Sequence, residues 1–353
     1  DDAVQNETIL HVSSAAKQAL DEPTTRKQML KSVFAPEWQA VELKELEALF
    51  ANRTWELVEL PPGKHALSNR WVYKTKLKED GSLDKFKARL VVKGFEQIEG
   101  IDFAETYAST AKFNSFRTVC AIAALLSLNI THIDFSNAFL NGQCEEEIYM
   151  KQPDGYVDEN QPHAVCRLLK CLYGLKQAPR AWSKALSAAL LSLGFTQCVT
   201  DESIFVKNTG KTYCIISAHV DDLAIATSDV KFKDHLIRIL NKKFKLTNLG
   251  DMSHYVGVHV QTSKGKITLN QHQYIAKMRQ KYGMEDCKLA SVPADAGMQF
   301  LPSDQPDNDD AKADMENVPY RGLIGSLMYA MRCYSPRHCL HSWYAVAFLS
   351  QSR

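Results

Sequence analysis

Three aspartates carry the chemistry that this sequence can be expected to perform. Asp221 and Asp222 stand side by side in CIISAHVDDLAIAT, from Cys214 to Thr227, between two runs rich in β-branched and apolar residues. Those runs read as two short strands joined by a tight turn, with both carboxylates at its tip. The same dipeptide recurs at Asp1-Asp2 and Asp309-Asp310, both in polar surroundings. Asp134 ends another expected strand in NITHIDFSNAFLNG, 87 residues before Asp221 (221 minus 134). Carboxylates about 4 Å apart repel by roughly 4 kcal/mol at an effective dielectric near 20, so a site gathering three of them needs a cation or a raised pKa. Hard oxygen ligands suit Mg²⁺, and a pair of such ions assists in-line phosphoryl transfer by activating the attacking hydroxyl and neutralising the leaving oxygen. A polymerase and a nuclease would both use that arrangement. Spacing alone leaves a plainer alternative open, in which Asp134 caps a turn and Asp221-Asp222 merely form one.

Holding such groups in place requires a folded scaffold. The chain has 353 residues, 45% hydrophobic and 24% charged, which fits a globular protein with a real core and more than one subdomain. Formal net charge is +1, so any nucleic-acid surface must come from local segregation of charge. Nine cysteines, an odd number without C-x-x-C spacing, read as buried thiols in a reducing compartment. The N-terminal DDAVQNETIL lacks the order of a secretory signal, and no apolar run is long enough to cross a bilayer. An intracellular chain without a membrane partner is expected, and the missing initiator Met points to a piece of a longer protein.

Along the chain, Asp1 to about Thr25 is expected to be a flexible lead-in. From Pro36 an amphipathic helix runs through Trp38, Val41, Leu46, Leu49 and Phe50. RWVYKTKLKEDGSLDKFKARLVVKGF reads as a hairpin turning at Asp80-Gly81. Period-two alternation puts Lys74, Lys76 and Lys78 on one face of its first strand, and Lys85, Lys87, Arg89 and Lys93 on one face of its second. That basic patch fits either a nucleic-acid surface or a solvated face guarding a sheet edge. NSFRTVCAIAALLSL is apolar nearly all round, so it reads as a helix buried on most sides and capped by Asn114 or Ser115. APRAWSKALSAALLSLGF starts a helix at Pro179 and stops it at Gly194, with Trp182, Leu186, Ala189, Leu190 and Leu193 inward. Ser228 is the expected cap of a helix through Phe232, Leu236, Ile239 and Leu240. YVGVHV and KITLNQ read as strands, QYIAKMRQKYGM as a short helix, and Pro293 to Val318 as a linker. Interleaved strands and helices without strict alternation predict an α+β fold with an antiparallel sheet.

The segments WELVELPPGKHALSNRWVYKTKLKEDGSLDKFKARLVVKGFEQIEGIDFAETYA, IDFSNAFLNGQCEEEIYMKQPDGY, CLYGLKQAPRAW, HVDDLAIAT, LGDMSHYVGV and YRGLIGSLMYA occur in this order. Together they resemble the reverse transcriptase domain of the Pol polyprotein of copia-type LTR retrotransposons, over roughly Glu22 to Ala330. The resemblance implies a right-hand polymerase with fingers, palm and thumb. Its divisions are a lead-in and helix over 1–54, interleaved fingers and palm over 55–260, a thumb-like region over 261–300, and a linker and truncated connection over 301–353. It implies that Asp134 and Asp221 ligate two Mg²⁺ ions, Mn²⁺ being a substitute, with Asp222 supporting them at the metal site. Lys87 and Arg89 match the basic strand that closes on the dNTP, the backbone near Asn137 and Ala138 adds donors to its phosphates, and Phe139 matches an aromatic gate against a ribose 2′-hydroxyl. Gly174, Gln177 and Pro179 match a loop and helix start below the templating base, and the hairpin from Tyr255 through Gly257 to Val260 matches a primer grip. Lys74 and Lys76 would then meet template or primer, through contacts that are largely sequence-independent.

The expected partners are an RNA template, a DNA or RNA primer, a dNTP and other parts of the polyprotein. The expected location is the cytoplasm, in a retrotransposon particle with access to the nucleus. Two departures stand out. His219 replaces the family's Tyr before Val-Asp-Asp, which keeps a ring beside the primer but changes its chemistry. Tyr334 to Trp343, YSPRHCLHSW, replaces the family's Arg-Pro-Asp-Ile type segment, and codons for its first seven residues read one nucleotide later spell Ile-Arg-Pro-Asp-Ile-Ala. A local reading-frame excursion is the expectation there, testable on the genomic sequence. The family's ribonuclease H would follow Arg353. A catalytically decayed nucleic-acid-binding remnant and a two-metal nuclease are the alternative readings.

Overall fold

The computed structural model describes residues 22–77, 82–263, 265–286, 308–310, 313 and 318–334. The turn expected at Asp80-Gly81, Lys78, the lead-in before Glu22, most of the expected linker and the segment after Tyr334 lie outside them. Within them the fold is α+β, built on four sheets whose strand pairs are antiparallel except for Ala66–Leu67 with Tyr149–Met150.

The largest sheet has six strands, in the order Leu246–Asp251, Asn129–Phe135, Asp222–Thr227, Tyr213–His219, Ile204–Asn208 and Thr196–Gln197. Alternation along these strands gives the sheet two apolar faces. Ile133, Phe135, Leu223, Ile225, Ile216 and Ala218 face the helices Ala178–Ser192 and Val230–Lys243, through Trp182, Leu186, Leu190, Leu236 and Leu240. Ile130, Ala224, Ala226 and Ile215 face the helix Phe113–Leu125 and the three-stranded sheet behind it, through Phe116, Val119, Tyr255 and Val260. Period two therefore sends His132 and Asp134, and Asp222 opposite Asp134, out of the sheet on that second face, at its end.

The basic hairpin pairs Asn69–Leu77 with Leu83–Val92, placing Lys74 opposite Lys87, Lys76 opposite Lys85 and Val72 opposite Arg89. Directly opposed residues share a face, so the basic side chains of both strands form one patch. The hairpin's other face shares a core with the helix Ala35–Ala51, in which Trp38, Leu46 and Leu49 pack with Trp71, Tyr73, Ala88 and Leu90.

Several expectations need correction. The chain is structured before Thr25: Glu22 pairs with Lys74 and accepts from the Thr75 amide at 2.9 Å, and Thr25 caps a short helix, Arg26–Met29. The helix Phe113–Leu125 starts after Lys112, not Asn114 or Ser115, and buries one face only, leaving Leu125 82% exposed. Asp229 rather than Ser228 caps the next helix, because its Oδ1 accepts from the Phe232 amide at 2.9 Å. YVGVHV is not one strand: Val256 and Gly257 turn the chain between His254–Tyr255 and Val258–Ser263. Phe50, expected on the inner face of its helix, is 61% exposed. The thiols of Cys120, Cys166, Cys171 and Cys214 are buried as expected, and burial pushes those of Cys120, Cys166 and Cys214 up to about 12, opposed at Cys214 by Lys207. No described helix is long and apolar enough to cross a membrane.

Candidate active site at the acidic end of the central sheet

The two strands flanking Asp221 pair as His219 with Asp222, leaving Val220 and Asp221 as a two-residue turn. Val220 has φ +54°, a conformation in which a β-branched residue is strained by about 1–3 kcal/mol. Two contacts hold it there. Trp182 Nε1 donates to the Val220 carbonyl at 2.6 Å, and the Phe135 amide donates to the Asp221 carbonyl at 2.8 Å. The second bond ties the turn directly to the strand bearing Asp134, whose Cα is the cross-strand partner of Asp222. Sequence-distant carboxylates thus meet at one sheet end, each only half-buried.

Burial and the charges of Asp221 and Asp222 raise the Asp134 pKa above the usual carboxylate range, partly opposed by Lys87 and His132. Burial, with repulsion from Arg89 and Lys76, lowers that of Lys87, against the attraction of Glu45 and Asp134. The basic strand and the acidic sheet end therefore lie close enough for each to feel the other's charge. Among the described residues, no three His, Cys, Asp or Glu side chains are gathered closely enough to hold a metal ion. The donor chemistry still suits a hard divalent cation: acceptor-only oxygens on Asp134 and Asp221, with negative charge around Asp134 only partly offset by Lys87 and His132. Asp222 differs, because its Oδ1 lies 2.7 Å from His132 Nε2.

Arg89 lays its guanidinium over the Tyr173 ring, 4.4 Å from its centroid, and its Nε is buried without a hydrogen-bond partner. Phe139 meets the same ring edge-on, with centroids 4.9 Å apart. Tyr173 is thus the shared support of two expected nucleotide contacts, a role that reading the sequence missed. Its only sequence signal was its place beside Gly174. Asn137, at φ +54°, starts the 3₁₀ turn Ala138–Asn141, whose leading amides have no preceding carbonyl in the turn to bond. The Ala138 side chain is buried.

The remaining expected contacts divide. Lys76 is exposed on the basic face, whereas Lys74 is engaged by Glu22. Gly174 is exposed, and Pro179 lies in the first turn of the helix that carries Trp182. Gln177 is buried and fully occupied, accepting from Gln97 at 3.0 Å and donating to the Asp102 carbonyl at 2.9 Å. It braces the loop from inside, in keeping with an indirect role. Tyr255 is corrected from primer contact to core: it is 2% exposed, its hydroxyl donates to the Ser217 carbonyl at 3.1 Å, and burial raises its pKa. Gly257 is exposed, and Tyr329 stands where a side chain on it would point, its hydroxyl bonding the Val256 carbonyl. His219 keeps a half-buried ring 6.4 Å from Tyr255, with its Nδ1 buried and unpartnered.

The Trp182 clamp gives a direct expectation. Trp182→Phe keeps the ring packing but strands the Val220 carbonyl, so unfolding in denaturant should show a loss of about 1–3 kcal/mol. An unchanged midpoint would mean that the indole does not hold the turn.

The family described as reverse transcriptase (RNA-dependent DNA polymerase) matches residues 52–296. The chain is 36% identical over 318 residues to the retrovirus-related Pol polyprotein from transposon TNT 1-94 of Nicotiana tabacum, covering 89% of this chain and 24% of that protein. It is 35% identical over 321 residues to the Pol polyprotein from transposon RE1 of Arabidopsis thaliana, covering 91% and 21%. With the transposon Ty1-LR2 Gag-Pol polyprotein of Saccharomyces cerevisiae it shares 26% over 268 residues, covering 71% and 14%. The chain thus spans about a quarter or less of the length of these curated relatives. A family match over most of the chain, joined to identity of this extent, leaves one conclusion: the chain belongs to the reverse transcriptase family, in the form carried by copia-type retrotransposon Pol polyproteins.

Proposed function

We propose that this chain is an RNA-directed DNA polymerase, in which a primer 3′-hydroxyl attacks the α-phosphate of a dNTP opposite an RNA template. The observation that carries the reading is the junction of Asp134 and the Asp221-Asp222 turn, facing Lys87 of the basic hairpin. In this reading the six-stranded sheet is the palm, the basic hairpin and its helix belong to the fingers, and the region beyond Ser263 leads into the thumb. Asp134 and Asp221 would hold two Mg²⁺ ions, which activate the attacking oxygen and offset charge on the leaving phosphate when bound.

The chain's own groups do the rest. Lys87 and Arg89 supply positive charge for the triphosphate, Arg89 with a half-buried side chain whose guanidinium is held over the Tyr173 ring. Phe139, steadied by Tyr173, occupies the space beside the sugar. The exposed lysines of the hairpin engage template phosphates. The other parts of the polyprotein are the proposed neighbours of this domain, in a cytoplasmic particle.

Incubation with poly(rA)/oligo(dT) and dTTP tests the reading. Primer lengthening is expected. Shortening of the strand would favour a nuclease. Binding without extension would favour the decayed remnant, for which His219 in place of the family's Tyr is the specific observation.

Tyr173 gives a second readout at the same site. Tyr173→Leu removes the surface under Arg89, an interaction worth about 0.5–2 kcal/mol, so the KM for dTTP should rise about twofold to thirtyfold. Tyr173→Phe, which keeps the ring, should stay near wild type. Equal effects of the two substitutions would discard the stacking role.

A further inference from the structure

The acidic sheet end contains a contact that the assignment above does not use. His132 lies two residues before Asp134 on the same strand, so both side chains leave the sheet on one face. Across the strand pair Asp222 stands opposite Asp134, and Ala224 stands opposite His132. The small Ala224 side chain leaves the diagonal open, and His132 spans it to reach Asp222 Oδ1 at 2.7 Å. The imidazole is the more enclosed partner, 14% exposed against 36% for the carboxylate. Its ring also meets the edge of Tyr255, with centroids 6.3 Å apart, and Tyr255 is itself tied to the Ser217 carbonyl at 3.1 Å. A ring held from beneath in this way presents one nitrogen at a fixed place beside the carboxylates.

We propose that His132 is a positioning residue: it commits the Asp222 carboxylate to the sheet and so leaves Asp134 and Asp221 as the pair that holds the divalent ions. The proposal rests on the polymerase reading for its consequence, not for its geometry. Released from His132, Asp222 is a third acceptor-only group free to turn toward the cation held by Asp134 and Asp221. Releasing the third strengthens the negative field and adds a ligand in the wrong place. Cations then bind more tightly while the reacting atoms are held less well, and a misplacement of about 1 Å costs on the order of 10²-fold in rate.

The test compares wild type with His132→Leu, which removes the nitrogen, and His132→Gln, whose amide still donates to Asp222. Mn²⁺ binding to the full chain without nucleotide is followed by electron paramagnetic resonance, alongside primer extension. His132→Leu is expected to bind Mn²⁺ several-fold more tightly and to extend primers at least about tenfold more slowly. His132→Gln should restore most of both. Adding Asp222→Asn to His132→Leu should cancel the gain in Mn²⁺ affinity, since the released carboxylate is then gone. If His132→Leu fails to fold by circular dichroism, His132→Asn, too short to span the diagonal, carries the same comparison. Wild-type Mn²⁺ affinity in the folded variant overturns the proposal, and so does a Gln variant that behaves like Leu. The expected Mn²⁺ shifts in a chain whose wild type extends no primer would support the positioning role while sinking the polymerase reading.

Discussion

Asp221→Asn is expected to leave a folded chain that binds primer–template and extends it at least about 10³-fold more slowly, equivalent to about 4 kcal/mol of lost transition-state stabilisation. Asp134→Asn should do the same, but the two differ in stability. The Asp134 carboxyl has its pKa raised by burial and by the neighbouring Asp221 and Asp222 charges, so its ionised form opposes folding. A carboxyl whose folded pKa lies above its unfolded value favours the fold when protonated. Wild-type stability from this group therefore rises as pH falls through the raised folded value toward the unfolded one. A neutral Asn removes the penalty at every pH. Asp134→Asn should accordingly unfold at higher denaturant than wild type near pH 7.5, with the gap narrowing as the buffer is acidified. Loss of extension joined to a gain in stability separates a group placed for chemistry from one placed for packing. Near-wild-type extension by either variant would remove both residues from the catalytic assignment.

How far such a site can be read beforehand depends on how local its determinants are. The Asp221 turn was legible because apolar β-branched runs on both sides of two polar residues constrain a short hairpin. The clamp that makes the turn usable was not. Trp182 reaches Val220 over 38 residues, and nothing near Val220 announces a left-handed β-branched residue. Alternation alone places His132 on the face of Asp134, but its bond to Asp222 follows from cross-strand register, which a single strand does not encode. Tyr255 illustrates the opposite failure. Family resemblance assigned this tyrosine to a primer grip, whereas burial of its ring among Phe116, His132 and His219 makes it a pillar beneath the site. For the helix Phe113–Leu125, apolar composition on every side could not reveal which face the sheet would cover. The cap at Asp229 was decided between two adjacent capable residues by geometry alone. Local chemistry thus told which residues could act, and tertiary register told which of them were free to do so.

Gly174→Val is expected to be the most destabilising single change near the site. Gly174 has φ +96°, where a side chain adds strain of about 1–3 kcal/mol. A Cβ there would also lie 2.0 Å from the Val92 carbonyl oxygen, and backbone cannot yield as a flexible side chain does. The preceding bond explains why the approach is so close: the Val92 amide donates to the Tyr173 carbonyl at 2.8 Å, stitching the Tyr173 loop to the end of the basic strand. From the other side, a Cβ on Gly94 would meet the Gly174 carbonyl oxygen at 2.0 Å. Strain and overlap together should cost about 3–5 kcal/mol, lowering Tm by roughly 4–7 °C for a chain of this size. Because Tyr173 supports Arg89 and Phe139, the same substitution should also raise the KM for dTTP in whatever fraction stays folded. Gly94→Ala strains the same junction, so the double variant should lose less than the sum of the two single losses. Additive losses would mean that the two glycines do not share one interface, and an unchanged Tm for Gly174→Val would mean that the Tyr173 loop is not pinned to the basic strand as described.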